Sequence, residues 1–79
     1  MVDAPYTIQV APYAAQQWSQ LPMRLQRKLV KFLSALQVNP RPTGAEKIEG
    51  LTGLYAQEVD HMRIIYKILE QDIMVLIIK

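Results

Sequence analysis

Hydrophobic and polar positions change period twice along this chain, and the changes divide it into elements. Tyr6, Ile8 and Val10 alternate with Thr7 and Gln9, the period of a strand with one buried face, which predicts strand one over about 5–10. Pro12 suits the first turn of a helix, and residues 13–20 follow as a short helix that stops at Leu21-Pro22. Pro22 then opens a second helix, in which Leu25, Leu29, Phe32, Leu33 and Leu36 recur at spacings of three and four. Pro40 disfavours helical geometry at the residue before it, so this helix is expected to end near Asn39, with residues 40–44 as a loop. The short proline-marked turn between the two helices predicts an αα-hairpin.

From Glu46 the period becomes two. Ile48 and Leu51 precede a Thr52-Gly53 turn, Leu54 to Val59 reads as a strand, and Asp60-His61 separates it from Met62 to Leu69. After a turn at residues 70–72, Ile73 to Ile78 is apolar at every position, as a fully covered central strand would be. The predicted order is β-α-α-β-β-β, an α+β fold with a helical hairpin on a small twisted, mainly antiparallel sheet. The chain ends at Lys79 directly after an apolar strand. Either neighbours or a partner cover that strand, or the natural chain continues past it.

Composition narrows the function classes. A chain of 79 residues closes one core, so a single domain over 1–79 is expected. The absence of cysteine excludes a disulfide framework and the common zinc-finger patterns. The N-terminus carries no signal-peptide pattern and the longest apolar run is too short to span a bilayer, which together favour a cytoplasmic protein without a membrane partner. Net charge is only +2, yet Arg24, Arg27, Lys28 and Lys31 fall within one stretch of the second helix with no acid interleaved. Such a helix can contact nucleic-acid phosphates. A solvated helix face explains the same residues.

Three local signatures, in this order and spacing, carry a likeness. They are the basic helix ending Leu36-Gln-Val-Asn-Pro40, then Lys47-Ile-Glu-Gly-Leu51 followed by Tyr55, then Met62-Arg-Ile-Ile-Tyr-Lys-Ile68 with a turn and an aliphatic strand. Together they resemble the RelE/ParE superfamily, the toxins of bacterial type II toxin–antitoxin pairs. The resemblance implies a toxin neutralised by a cognate antitoxin. It further implies either ribosome-dependent mRNA cleavage, as in RelE, or inhibition of DNA gyrase, as in ParE. RelE-like cleavage uses no metal or cofactor, because the 2′-hydroxyl of the RNA attacks the neighbouring phosphate.

That reaction asks for a base near the 2′-oxygen, cations on the phosphate and an acid for the leaving 5′-oxygen. Arg63 matches the family's phosphate-binding arginine and is the candidate catalytic residue. The family's strand lysines do not carry over, since Ala56, Gln57 and Glu58 follow Tyr55. Its last basic and tyrosine or histidine positions lie beyond the final strand. The enzymatic reading therefore stays open beside a non-enzymatic one, in which the chain inhibits gyrase or only binds its antitoxin. Glu58 is a possible carboxylate base, although a solvent-facing strand glutamate is commoner. His61 is expected as an exposed turn residue. Arg24, Arg27, Lys28, Lys31, Lys47 and Tyr55 are the candidate RNA contacts, with Lys67 adding charge to the sheet. Tyr55 and Tyr66 are expected near Arg63, Tyr66 mainly as core; Tyr13, Trp18 and Phe32 are expected to be packing residues.

Overall fold

The computed structural model describes residues 5–79. Strand β1 is Thr7–Val10, helix α1 Pro12–Ser19, helix α2 Met23–Val38, and strands β2 to β5 are Glu46–Lys47, Leu54–Val59, Met62–Leu69 and Asp72–Ile78. They form one five-stranded sheet in the order β1-β5-β4-β3-β2. β1 runs parallel to β5, and the other pairs are antiparallel.

The prolines act where the sequence places them. Pro12 opens α1, and the Pro22 carbonyl accepts the first N–H bonds of α2, from Leu25 at 2.9 Å and Gln26 at 3.0 Å. The Gln26 side-chain amide donates to the carbonyls of Trp18 and Leu21, tying the start of α2 to the end of α1. Asn39 is extended before Pro40, so α2 stops at Val38.

One core lies between the helices and one face of the sheet. Ala14 of α1 and Leu29, Leu33 and Leu36 of α2 meet Met62, Ile64, Tyr66, Ile68, Ile73, Val75 and Ile78. Alternation sets this division: on β4 the even positions are buried beneath the helices, while Arg63, Ile65, Lys67 and Leu69 point to the open face. A bulge shifts the register between β4 and β5, pairing Ile65 with Ile77 but Tyr66 with Val75, so both sides keep their apolar residues inward.

Four expectations change. Strand one begins at Thr7, so Pro5 and Tyr6 lie outside it. The Thr52-Gly53 turn forms as expected, but the two-residue strand β2 at Glu46–Lys47 adds a strand to the expected order. β5 is an interior strand, next to the edge strand β1, but the helices cover only one of its faces. Met74, Leu76 and Ile77 stay half-buried. Tyr13 is 57% exposed on the outer side of α1, not a packing residue.

Candidate functional site

The register aligns charged side chains in a row across the open face. Glu58 of β3 sits directly opposite Arg63 of β4. Arg63 in turn exchanges both backbone hydrogen bonds with Lys79, at 2.8 and 3.0 Å. Directly paired antiparallel residues share a face, so Glu58, Arg63 and Lys79 stand side by side in solvent. The next open-face row is Ala56, Ile65 and Ile77, and beyond it stand Leu54, Lys67 and Met74. Arg63 and Lys67 thus flank an apolar strip.

The basic residues of α2 lie elsewhere. Arg24 Nη1 is 2.9 Å from the Asp60 carboxylate, and Lys28 Nζ reaches it at 3.5 Å. Asp60 is acidic partner to a cluster that lacks acids within its own helix, so the sequence-based expectation of unpaired charge is corrected for these two. The Arg24 hydrogen bond, with help from the Lys28 charge, holds the Asp60 carboxyl below its usual range. Both partners are solvated, so the pair contributes little to stability. Arg27 and Lys31 are exposed, with no ion pair among the described residues.

Tyr55 and Tyr66 lie on the helix side of the sheet, away from Arg63, which corrects the expected proximity. Tyr66 is fully buried and donates to the Pro40 carbonyl at 3.0 Å. Burial pushes its phenol up to about 12. The Tyr55 ring stacks on it with centroids 5.9 Å apart, and Phe32 meets it edge-on at 6.3 Å. Arg41 lies beside the hydroxyl end of Tyr55, its guanidinium carbon 5.5 Å from the ring centroid, and donates from Nε to the Tyr55 hydroxyl at 2.9 Å. Lys47 is the strand partner of Tyr55 and is exposed.

Solved structures of similar shape exist at low sequence identity. An archaeal RelE–RelB complex from Pyrococcus horikoshii superposes with a TM-score of 0.85 at 23% identity, over 95% of this chain and 93% of that one. The intact E. coli RelBE toxin–antitoxin complex gives 0.82 at 19%, over 92% and 93% of the two chains. This chain has the RelE toxin fold. The YoeB dimer from Staphylococcus aureus matches with a TM-score of 0.77 at 23% identity, over 92% of this chain and 93% of that one. No family model and no curated protein matches the sequence.

On this RelE fold the residues singled out from sequence separate into three places. Arg63 and Lys67 share the open face, Arg24, Arg27, Lys28 and Lys31 follow α2, and Lys47 and Tyr55 occupy the helix side of β2 and β3. His61 is exposed at the β3–β4 turn, as expected, and Glu58 faces solvent. Among the described residues no cluster of three or more His, Asp or Glu side chains is placed to hold a metal. Sequence reading missed Lys79, whose strand pairing with Arg63 depends on the bulge. It also missed Arg41, which looked like a loop residue between two prolines. Alternation within β4 was a usable signal, since it already puts Arg63 and Tyr66 on opposite faces.

Proposed function

We propose that this chain is the toxin of a type II toxin–antitoxin pair that cleaves mRNA on the ribosome, with the open face of the sheet as its reaction surface. The observation that carries this reading is the row Glu58–Arg63–Lys79 on a RelE toxin fold. In this reading Glu58 takes the proton from the 2′-hydroxyl, and the 2′-oxygen bonds to the adjacent phosphorus while the bond to the 5′-oxygen breaks. A 2′,3′-cyclic phosphate and a 5′-hydroxyl result. Arg63 holds the non-bridging phosphate oxygens as negative charge grows on them, and the Lys79 ammonium donates the proton that the leaving 5′-oxygen takes up as its bond to phosphorus breaks. The basic face of α2 contributes phosphate contacts to ribosomal RNA.

The partner of the resting state is an antitoxin. The Pyrococcus and E. coli neighbours are toxin–antitoxin complexes. An open groove of about 460 Å³ between β1, α1 and α2, lined by Tyr6, Ile8, Trp18 and Val30, offers such a segment apolar surface beside the free edge of β1. A second reading has a specific observation behind it. Ala56 stands fully buried and Glu58 acidic where RelE-like toxins would place lysines, which favours a chain that binds antitoxin without cleaving RNA.

Mapping of mRNA 5′ ends on ribosomes programmed with the purified chain separates the two. Cleavage is expected, falling roughly a hundredfold or more in Arg63→Ala and similarly in Glu58→Gln. Absence of cleavage by the unsubstituted chain selects the binding-only reading.

A further inference from the structure

Tyr55 is half enclosed: Tyr66 stacks on one face of its ring, and the Arg41 guanidinium is bound at its hydroxyl end. Arg41 is thus the outermost member of a chain of contacts running from the core through Tyr66 and Tyr55 to solvent. The stack is anchored from below: Phe32 packs on Tyr66, and the Tyr66 hydroxyl holds the carbonyl of Pro40, the residue just before Arg41. The Asn39 side chain also accepts from the Arg41 backbone N–H at 3.3 Å.

Of the guanidinium donors, Nε is engaged by the Tyr55 hydroxyl and Tyr6 interacts more weakly, so the exposed side chain keeps donors on Nη1 and Nη2 for a ligand. Among the described residues Arg41 makes no ion pair, in contrast to Arg24 and Lys28, which share Asp60. The Tyr55 hydroxyl, and more weakly that of Tyr6, favours its charged form. Lys47, also exposed and also without an ion pair among the described residues, lies across the β2–β3 register from Tyr55. Phe32, on the other side of Tyr66, belongs to α2, which also carries Lys31, exposed and without an ion pair among the described residues.

We infer that Arg41 is a preorganised phosphodiester contact for RNA, the centre of a second basic surface running from Lys47 past Tyr55 to α2. This rests on the proposal that the chain acts on RNA, and places a binding contact on the face opposite the reaction row. Three features favour a polyanion over a single carboxylate. The fork suits paired phosphate oxygens, the guanidinium plane is free to stack on a base, and cations recur on both sides. Holding the side chain against Tyr55 in advance lowers the entropy lost on binding. Tyr55 is then a positioning residue, and Arg41 the contact.

Fluorescence anisotropy with labelled oligouridylate RNA, measured over a range of salt concentrations, tests the inference. Arg41→Ala is expected to weaken binding several-fold and to reduce the slope of log K against log salt by about 0.7, the loss of one single-strand phosphate contact. Arg41→Lys is expected to restore the slope but only part of the affinity, because the charge returns without the fork. Tyr55→Phe keeps the ring but removes the hydroxyl anchor, and is expected to weaken binding while leaving the slope unchanged. If Arg41→Ala lowers the melting temperature yet leaves affinity and slope intact, Arg41 is only a staple for its loop and the inference falls. It also falls if an acidic oligoglutamate displaces the RNA with equal affinity through Arg41, since the site would then be a carboxylate site for a protein. Cleavage lost in Arg63→Ala alongside unchanged binding in Arg41→Ala overturns this inference alone. No RNA binding by the unsubstituted chain overturns it together with the functional proposal.

Discussion

Gly53 shows how much a single backbone position can decide. It adopts φ of 76° at the entry to β3, and its carbonyl accepts the Ile68 N–H at 2.9 Å. A Cβ added there would sit 2.9 Å from the Ile68 carbonyl oxygen, a backbone atom that cannot step aside. Gly53→Ala is therefore expected to cost about 2 kcal/mol in urea unfolding, combining left-handed strain with the close approach. The Thr52-Gly53 dipeptide announced this turn in the sequence. What it could not announce was the neighbour that makes glycine necessary, since Ile68 lies on another strand. The tyrosines differ: alternation within β4 already separated Tyr66 from Arg63, whereas the partner of the Tyr55 hydroxyl is a loop arginine with no pattern to mark it.

At the scale of elements, the β3–β4 hairpin is the clearest case of local sequence and tertiary contact pulling against each other. Its two-residue turn needs positive φ at both positions, and Asp60 and His61 adopt 49° and 71°. Asp60 tolerates this and is tied to α2 through Arg24 and Lys28. His61 is exposed and has no hydrogen bond or ion pair among the described residues, so it only bears the strain. His61→Gly is expected to stabilise the chain by about 0.5 kcal/mol in chemical denaturation, relief of the left-handed conformation outweighing the added freedom of the unfolded chain. A loss of stability would show that the imidazole makes a contact worth more than the strain. The elements themselves were legible from period: both helices and the strands β3 to β5 fall within a residue or two of their expected bounds. β2 was not, because a two-residue strand has no period to read.

For the whole molecule, the Tyr66 phenol links the core to alkaline pH. Burial favours the neutral form and raises its pKa to about 12, above the ordinary 10.0 of an unfolded chain. A group whose folded pKa is raised contributes stability that is fully present below the unfolded value and is lost as pH rises through the folded one. The chain is thus expected to lose about 3 kcal/mol through this residue between pH 10 and 12, since two pKa units correspond to that much. Tyr66→Phe is expected to be weaker at neutral pH by about 1 kcal/mol, for the lost bond to Pro40, and to lack this alkaline loss. Thermal melts of both proteins across that window check the difference. The sequence by itself determined the helices, the meander and the fold, because hydrophobic period and proline placement are local and survive without knowledge of partners. Tertiary structure alone decided which charges stand together. Strand order, a one-residue bulge and a hairpin reaching α2 place Lys79 beside Arg63, Asp60 beside Arg24, and Arg41 beside Tyr55, across separations along the chain that no local period can encode.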